Sequence, residues 1–376
     1  MTDIHMAGPW ITELETDMVL DAMRNGWYGK DAYTYCETFE AEFATYVGRK
    51  YALMTPNCTS AIHLLLAGLG VGPGDEVIAP ECTWIASVAP VTYTGASLVF
   101  CDIDPQTWCV TADTIKAKIT PKTKAVIAVD LYGNMPDWRE IQQLCDERGI
   151  AIIEDSAEAL GSVQDGTKAG KFGIGSVFSF HRTKTITTGE GGMLTLDDDA
   201  LFEQCKLLRD HGRAPGAWYN DIVGFKYMPF NVQAAMGLGQ LRRVDELVGK
   251  KHWILEQYRE KLRKIDGLTL NTEPRGGFNG AWCTSVVFDA SYAITKSAAM
   301  DAMIHADIPA RPFFFPLSFL PAFGNQEEKG RALNPISYDV SARGICLPSA
   351  LNMTAEGIDT VCDVVYKLVE EASKAV

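Results

Sequence analysis

From Tyr51 to Thr195, short β-branched runs alternate with stretches of helical period, and few architectures other than a wound α/β sheet accept that alternation. Strands are predicted over 76–79, 97–102, 125–130, 151–154, 177–180 and 193–196. Between them, 60–69 carries Ile62, Leu65 and Leu66 at helical spacing, and 138–148 is a helix closed by Gly149. Farther on, 232–264 reads as one long helix ending near Gly267. Residues 281–288, 296–306 and a final helix over 354–372, with Thr354 as its N-cap, give a smaller α+β unit. The expected organisation is a large domain over 1–248 on a mostly parallel wound sheet, followed by a small C-terminal domain over 249–376. A chain of 376 residues has enough material for both cores.

A net charge of −14 argues against nucleic acid or an anionic membrane as a partner, because a diffuse negative field repels both. One small phosphorylated ligand is still compatible, since helix-terminal amides bind phosphate whatever the overall charge. Ten cysteines are scattered from Cys36 to Cys362 without a Cys-x-x-Cys pair, and the histidines do not cluster at metal-ligand spacing. Free thiols in a reducing cytoplasm are therefore expected, with no metal site. The N-terminal residues lack the basic and apolar pattern of a leader, and no apolar run approaches the ~20 residues that span a bilayer.

Ligands of open α/β sheets bind outside the carboxyl ends of the strands, and three segments end there. In Ile152-Ile153-Glu154-Asp155-Ser156-Ala157-Glu158 an apolar strand stops at a carboxylate. Asp155 either caps the next helix or pairs with a ring nitrogen. In the second segment Ser179 and Lys184 precede the Gly-rich return Gly189-Glu190-Gly191-Gly192, which sets a flexible amine beside a hydroxyl where a Schiff-base lysine is needed. In the third, Asn57-Cys58-Thr59-Ser60 opens an apolar helix; its hydroxyls either cap the helix or join its free amides in binding an anion. Trp84 comes after a strand and is either core or a platform for a flat heteroaromatic ring. Gly170, Gly173 and Gly175 have the wrong order for a dinucleotide fingerprint.

The motifs Asn57-Cys58-Thr59-Ser60-Ala61, Pro80-x-x-Thr83-Trp84-x-Ala86, Glu154-Asp155-Ser156-Ala157-Glu158-Ala159, Ser179-Phe180-x-x-x-Lys184 with Gly189-Glu190-Gly191-Gly192, and Asn231-x-Gln233-Ala234-Ala235 occur in one order. In that order they resemble the DegT/StrS-type sugar aminotransferases. The resemblance implies a fold-type I, aspartate aminotransferase-like enzyme that uses pyridoxal 5'-phosphate, with pyridoxamine 5'-phosphate as the amino carrier. Lys184 would hold the cofactor aldehyde and Asp155 its ring nitrogen. Trp84 would stack on the ring, Glu158 would lie near the phenolic oxygen, and Cys58 (through its N–H), Thr59 and Ser179 would hold the phosphate. Asn231 would reach the phosphate site of the partner subunit in a homodimer with shared active sites.

The run Lys184–Gly192 is similar to members that aminate GDP-linked 4-keto-6-deoxy hexoses for aminosugar and O-antigen synthesis, with L-glutamate as the donor. Substrate contacts are expected from Tyr28, Lys30, His181, Arg213, Lys226, Arg311 and Ser318. Departures from that subgroup are Lys226 for asparagine, Met228 for arginine, Ser318 for histidine, and Cys58 for a smaller residue. The alternatives are a nucleotide-sugar dehydratase, whose relatives carry histidine at the lysine position, an aminotransferase for a sugar without a nucleotide, and a non-catalytic regulatory protein on the same fold.

Overall fold

The computed structural model describes residues 4–214 and 216–375; residues 1–3, part of the stretch read for a leader pattern, lie outside the described residues. One sheet contains β1 (Tyr51–Thr55), β2 (Glu76–Pro80), β3 (Ser97–Cys101), β4 (Thr123–Val129), β5 (Ala151–Asp155), β8 (Gly175–Ser179) and β9 (Gly192–Leu196), while β6 (Val163–Gln164) and β7 (Thr167–Lys168) form a separate hairpin. The strand order is β1-β9-β8-β5-β4-β2-β3. Pairings among β8, β5, β4, β2 and β3 are parallel, and β9 runs against both of its neighbours. Alternate residues feed opposite faces, as the two-residue period of a strand demands. Val77, Ala79, Ala125, Ile127 and Val129 pack with Ile62, Leu65 and Leu66 on one side, and Ile78, Val126 and Ala128 pack with Trp138, Ile141 and Leu144 on the other.

The first site-forming helix runs over Cys58–Gly68, and its N-cap is Asn57, whose side chain accepts the Ser60 N–H at 2.8 Å. The capping role expected of Thr59 or Ser60 belongs to Asn57. The long helix expected over 232–264 is two helices, Asn231–Leu241 and Val244–Leu262. At the break, the guanidinium of Arg243 turns back to Glu15 and Glu246. The second helix runs unbroken through 248/249 and serves both cores. Val244, Leu247 and Val248 pack with Phe178 and Phe180 of the large sheet, whereas Ile254, Tyr258 and Leu262 pack with the second sheet.

That second sheet is antiparallel, with β10 (Leu268–Leu270), β11 (Ser285–Phe288), β12 (Arg311–Pro312) and β13 (Gly344–Cys346) in the order β10-β11-β13-β12. The helices Lys296–His305 and Ala355–Ala375 join its core, and the Thr354 hydroxyl accepts the Gly357 N–H to start the latter. All ten cysteines are free and buried. Among the described residues no helix is long and apolar enough to cross a membrane.

Candidate active site

Asp155 ends β5 beside Val129 of β4 and Val177 of β8, so its side chain emerges at the carboxyl edge of the parallel strands. It is 3 % exposed, and its Oδ1 accepts the Ala157 N–H at 3.1 Å. Burial pushes this carboxyl up, against the opposing pull of the Ser87 hydroxyl, the Ala157 amide and the Lys184 charge. One turn on, Glu158 Oε1 meets Lys184 Nζ at 3.2 Å and its Oε2 accepts the Tyr132 N–H at 3.0 Å. Tyr132 presents that N–H from a left-handed backbone, φ +56°, which is uncommon for an aromatic residue. Burial raises Glu158 as well, and Lys184 is the main opposing charge.

Register brings in the next groups. Ser179 pairs with Gly192 across β8 and β9, and Gly192 pairs with Thr55 across β9 and β1. A Cβ on Gly192 would stand 2.5 Å from Asn57 C and Cys58 N, so glycine lets the first turn of the Cys58–Gly68 helix settle against the strand end. With the Ser60 N–H taken by Asn57, the amides of Cys58 and Thr59 are the first-turn donors without an intrahelical acceptor. The Cys58 thiol is raised well above its usual range by burial and stays neutral, leaving its N–H as its polar contribution.

These residues fit a pyridoxal phosphate. A buried carboxylate whose nearest cation is already paired with Glu158 lacks a cationic partner of its own, which a protonated ring nitrogen would supply. A phosphate matches the helix start beside Ser179. Trp84 is 58 % exposed at the mouth, with Phe314 at 5.8 Å behind it, so its face is open to a flat ring.

The substrate candidates divide. His181 and Arg311 belong to the Lys184 side: His181 Nδ1 lies 2.9 Å from Thr183 Oγ1, and burial, with Lys184, Arg182 and Arg311 as neighbouring charges, lowers its pKa against the pull of Glu190. Tyr28 and Lys30 are exposed on the N-terminal segment. Arg213 and Lys226 both pair with Asp210, at 3.1 and 2.7 Å. With Met228, Asp210 and Arg213 line a cleft of about 740 Å³ whose walls include neither Lys184 nor Asp155.

Asn231 and Ser318 are both buried and hydrogen-bonded within the chain. Asn231 is 3 % exposed; its Oδ1 accepts the Tyr35 N–H, and its Nδ2 donates to the carbonyls of Gly26 and Asp31. Within its own chain Asn231 thereby ties the N-terminal segment to the start of the Asn231–Leu241 helix. Ser318 is 5 % exposed, with its Oγ 2.9 Å from the Tyr338 hydroxyl and its N–H on Glu81.

Sequence reasoning missed Tyr132, Ser87 and Trp282. The Trp282 ring lies 3.9 Å from Lys184 Nζ, a contact between residues far apart in the chain that no local pattern marks.

The DegT/DnrJ/EryC1/StrS aminotransferase family profile matches residues 9–366. A GDP-perosamine synthase of Vibrio cholerae is 38 % identical over 344 residues, 91 % of this chain and 93 % of that protein. Among solved structures, the aminotransferase TlmJ of Streptoalloteichus hindustanus is 30 % identical with a TM-score of 0.90, over 98 % of this chain and 100 % of that one. The PLP form of a putative sugar aminotransferase, Spr1654 of Streptococcus pneumoniae, is 26 % identical with a TM-score of 0.90, over 98 % and 99 % of the two chains.

Proposed function

The chain belongs to the DegT/DnrJ/EryC1/StrS aminotransferase family, and we propose that it moves an amino group from L-glutamate to a nucleotide-linked 4-keto-6-deoxy hexose, GDP-4-keto-6-deoxymannose first among the acceptors. Membership makes it a pyridoxal-phosphate-dependent sugar aminotransferase; the donor and the acceptor are the proposal. The observation that supports it is the Lys184 amine, 3.2 Å from Glu158 at the strand edge that also carries Asp155 and the anion-binding helix start. The similarity to a GDP-perosamine synthase directs the choice of sugar.

Lys184 would hold the cofactor aldehyde, Asp155 the ring nitrogen, Glu158 the phenolic oxygen, and the Cys58 and Thr59 amides with Ser179 the phosphate. Trp84 would cover one face of the ring. When bound, the group supplies an electron sink that acidifies the Cα–H bond of an amino acid joined to it. Lys184 Nζ would then serve as the general base that takes the Cα proton and passes it to the cofactor carbon, within reach because Glu158 and the surrounding packing fix the side chain. The Asp155 carboxylate, out of water, favours a cationic ring nitrogen and so sustains the sink. The overall exchange converts an amino acid and a keto sugar into a keto acid and an amino sugar.

The active unit proposed is a cytoplasmic homodimer with shared sites. It would bring Tyr28, Lys30, Arg213 and Lys226 of one protomer toward the Lys184 group of its partner, and the exposed Trp218, Tyr219 and Val223 on the same segment support an interface there. The test is a panel of nucleotide-linked keto sugars incubated with L-glutamate and followed by mass spectrometry for ketone-to-amine conversion. Amination of the GDP-linked 4-keto-6-deoxy sugar above the rest is expected. Selective amination of another sugar would move the acceptor assignment.

A further inference from the structure

Trp282 meets the Lys184 loop twice. Its ring faces Lys184 Nζ at 3.9 Å, and its indole N–H donates to the Thr183 carbonyl at 2.7 Å. At 5 % exposure the ring makes both contacts away from water, where a cation's attraction to an indole face is stronger than at a surface. The indole is itself held. The buried Lys251 ammonium donates to the Trp282 carbonyl at 2.9 Å and to the Ser349 carbonyl. The Tyr132 ring lies parallel to it, 10° off at 6.1 Å, and the N–H of this tyrosine fixes Glu158, the other partner of Lys184.

We propose that Trp282 is a positioning residue: with Glu158 it forms the seat in which the Lys184 amine rests whenever that amine is not bonded to the cofactor. The proposal rests on Lys184 being the working amine of an aminotransferase. Each half of such a reaction frees the lysine and needs it back as a base at one place. A lysine stem has four carbons and many rotamers, so an unseated amine would spend most of its time elsewhere. The seat has one carboxylate edge and one aromatic face, a pair that accepts an ammonium.

The test compares Trp282→Leu and Trp282→Phe. In the cofactor-free full-length protein, Lys184 is labelled with trinitrobenzenesulfonate at one fixed pH, and its modification is counted by peptide mass spectrometry against exposed Lys367. Removing the ring should speed Lys184 labelling about fivefold, the ratio equivalent to about 1 kcal/mol of lost contact. The phenylalanine variant, which keeps a ring face, should stay near the wild-type rate. In loaded enzyme the leucine variant should lose kcat with little change in KM for the amino donor, and phenylalanine should recover most of it. Trp282→Met, apolar and bulky without a ring, carries the same expectation as leucine if the leucine variant does not fold. Wild-type labelling in the ringless variant, or phenylalanine no better than leucine in equally stable proteins, overturns the seat. Because labelling needs no turnover, altered labelling in a protein that aminates no keto sugar would leave the seat standing and refute the functional assignment instead.

Discussion

At Lys184 a single amine has a carboxylate on one side and an indole face on the other, and no other lysine among the described residues shares that pair. Lys184→Ala should therefore abolish the visible absorbance of covalently held cofactor and lower turnover by about 10²–10⁴ or more, the range for losing a positioned base. A variant retaining both would sink the assignment. Asp155→Asn should keep the fold, because an amide still accepts the Ala157 N–H, but lose about two orders of magnitude in rate, since a neutral group does not sustain a cationic ring nitrogen. Near-wild-type turnover of a folded variant would reject that role. Lys184 and Asp155 are legible in the sequence because each sits a few residues from a strand end, where sequence order and spatial order coincide. Trp282 is not, because its contact with the lysine loop spans 99 residues. The packing around Ser318 is hidden for the same reason, its N–H bonding to Glu81 far along the chain. A Cβ on Gly330 would come within 2.0 Å of its Oγ, so the space around it is already filled. Ser318→His should accordingly cost about 1–3 kcal/mol by overpacking, read as a lower denaturant midpoint, rather than redirect substrate choice. An unchanged midpoint would reopen the position as a pocket wall.

Strand ends carry more here than their catalytic side chains. At the end of β4 the chain passes into Asp130, whose N–H bonds to the Asp155 carbonyl, and whose side chain lies buried against Glu154 of β5. Asp130 Oδ2 accepts the Ser156 hydroxyl, while Oδ1 has no donor among the described residues. Glu154 accepts three donors, from Gly170, Phe172 and Ser176, and keeps acceptor capacity for a fourth. A proton held on Asp130 supplies the missing bond, and burial together with the Glu154 charge pushes this carboxyl well above its usual value. A carboxyl raised in the folded state holds a proton that the unfolded chain releases, so its stabilisation is complete below the unfolded pKa and is lost as pH rises through the folded one. Stability measured by thermal unfolding should fall by at most about 1.4 kcal/mol per pH unit from this group as pH rises above about 4, where the unfolded carboxyl ionises, until the folded one does too. Asp130→Asn, whose amide supplies the donor permanently, should flatten that decline, whereas Glu154→Gln sets an NH₂ against at least one of those donors and should destabilise at every pH. Equal losses from both substitutions would refute a shared proton. Nothing in the sequence around Asp130 announces this pair, because parallel pairing with β5 is what creates it. The strands themselves are legible from their β-branched runs, whereas the break at Arg242–Arg243 escapes a periodicity argument that sees apolar positions and not the pull of Glu15 on Arg243.

On the scale of the molecule, the polar residues expected around a sugar nucleotide fall into two groups that one chain does not unite. His181 and Arg311 stand with Lys184, while Arg213 and Lys226 stand on Asp210 beside a separate cleft. The segment carrying the second group also leaves Trp218 99 % and Val223 95 % exposed, a cost in apolar hydration that a second protomer would remove. A two-fold dimer repeats every contact, so a segment reaching its partner's site would be reached in return, giving two composite sites per dimer. Subunit mixing tests this without structural data. Lys184→Ala homodimers lack the base, and an Arg213→Ala/Lys226→Ala double variant lacks the opposing group, so each alone should be nearly inactive. Dissociated and reassociated at equal amounts, half of the dimers are hybrids, and in each hybrid one site receives an intact Lys184 and an intact opposing segment. Recovery of about a quarter of wild-type activity per protomer is therefore expected. If the two groups serve the same chain's site, every hybrid site carries one defect or the other. Mixing would then give no more than the sum of the two inactive parents, and the shared-site dimer would be wrong even if the protein sediments as a dimer.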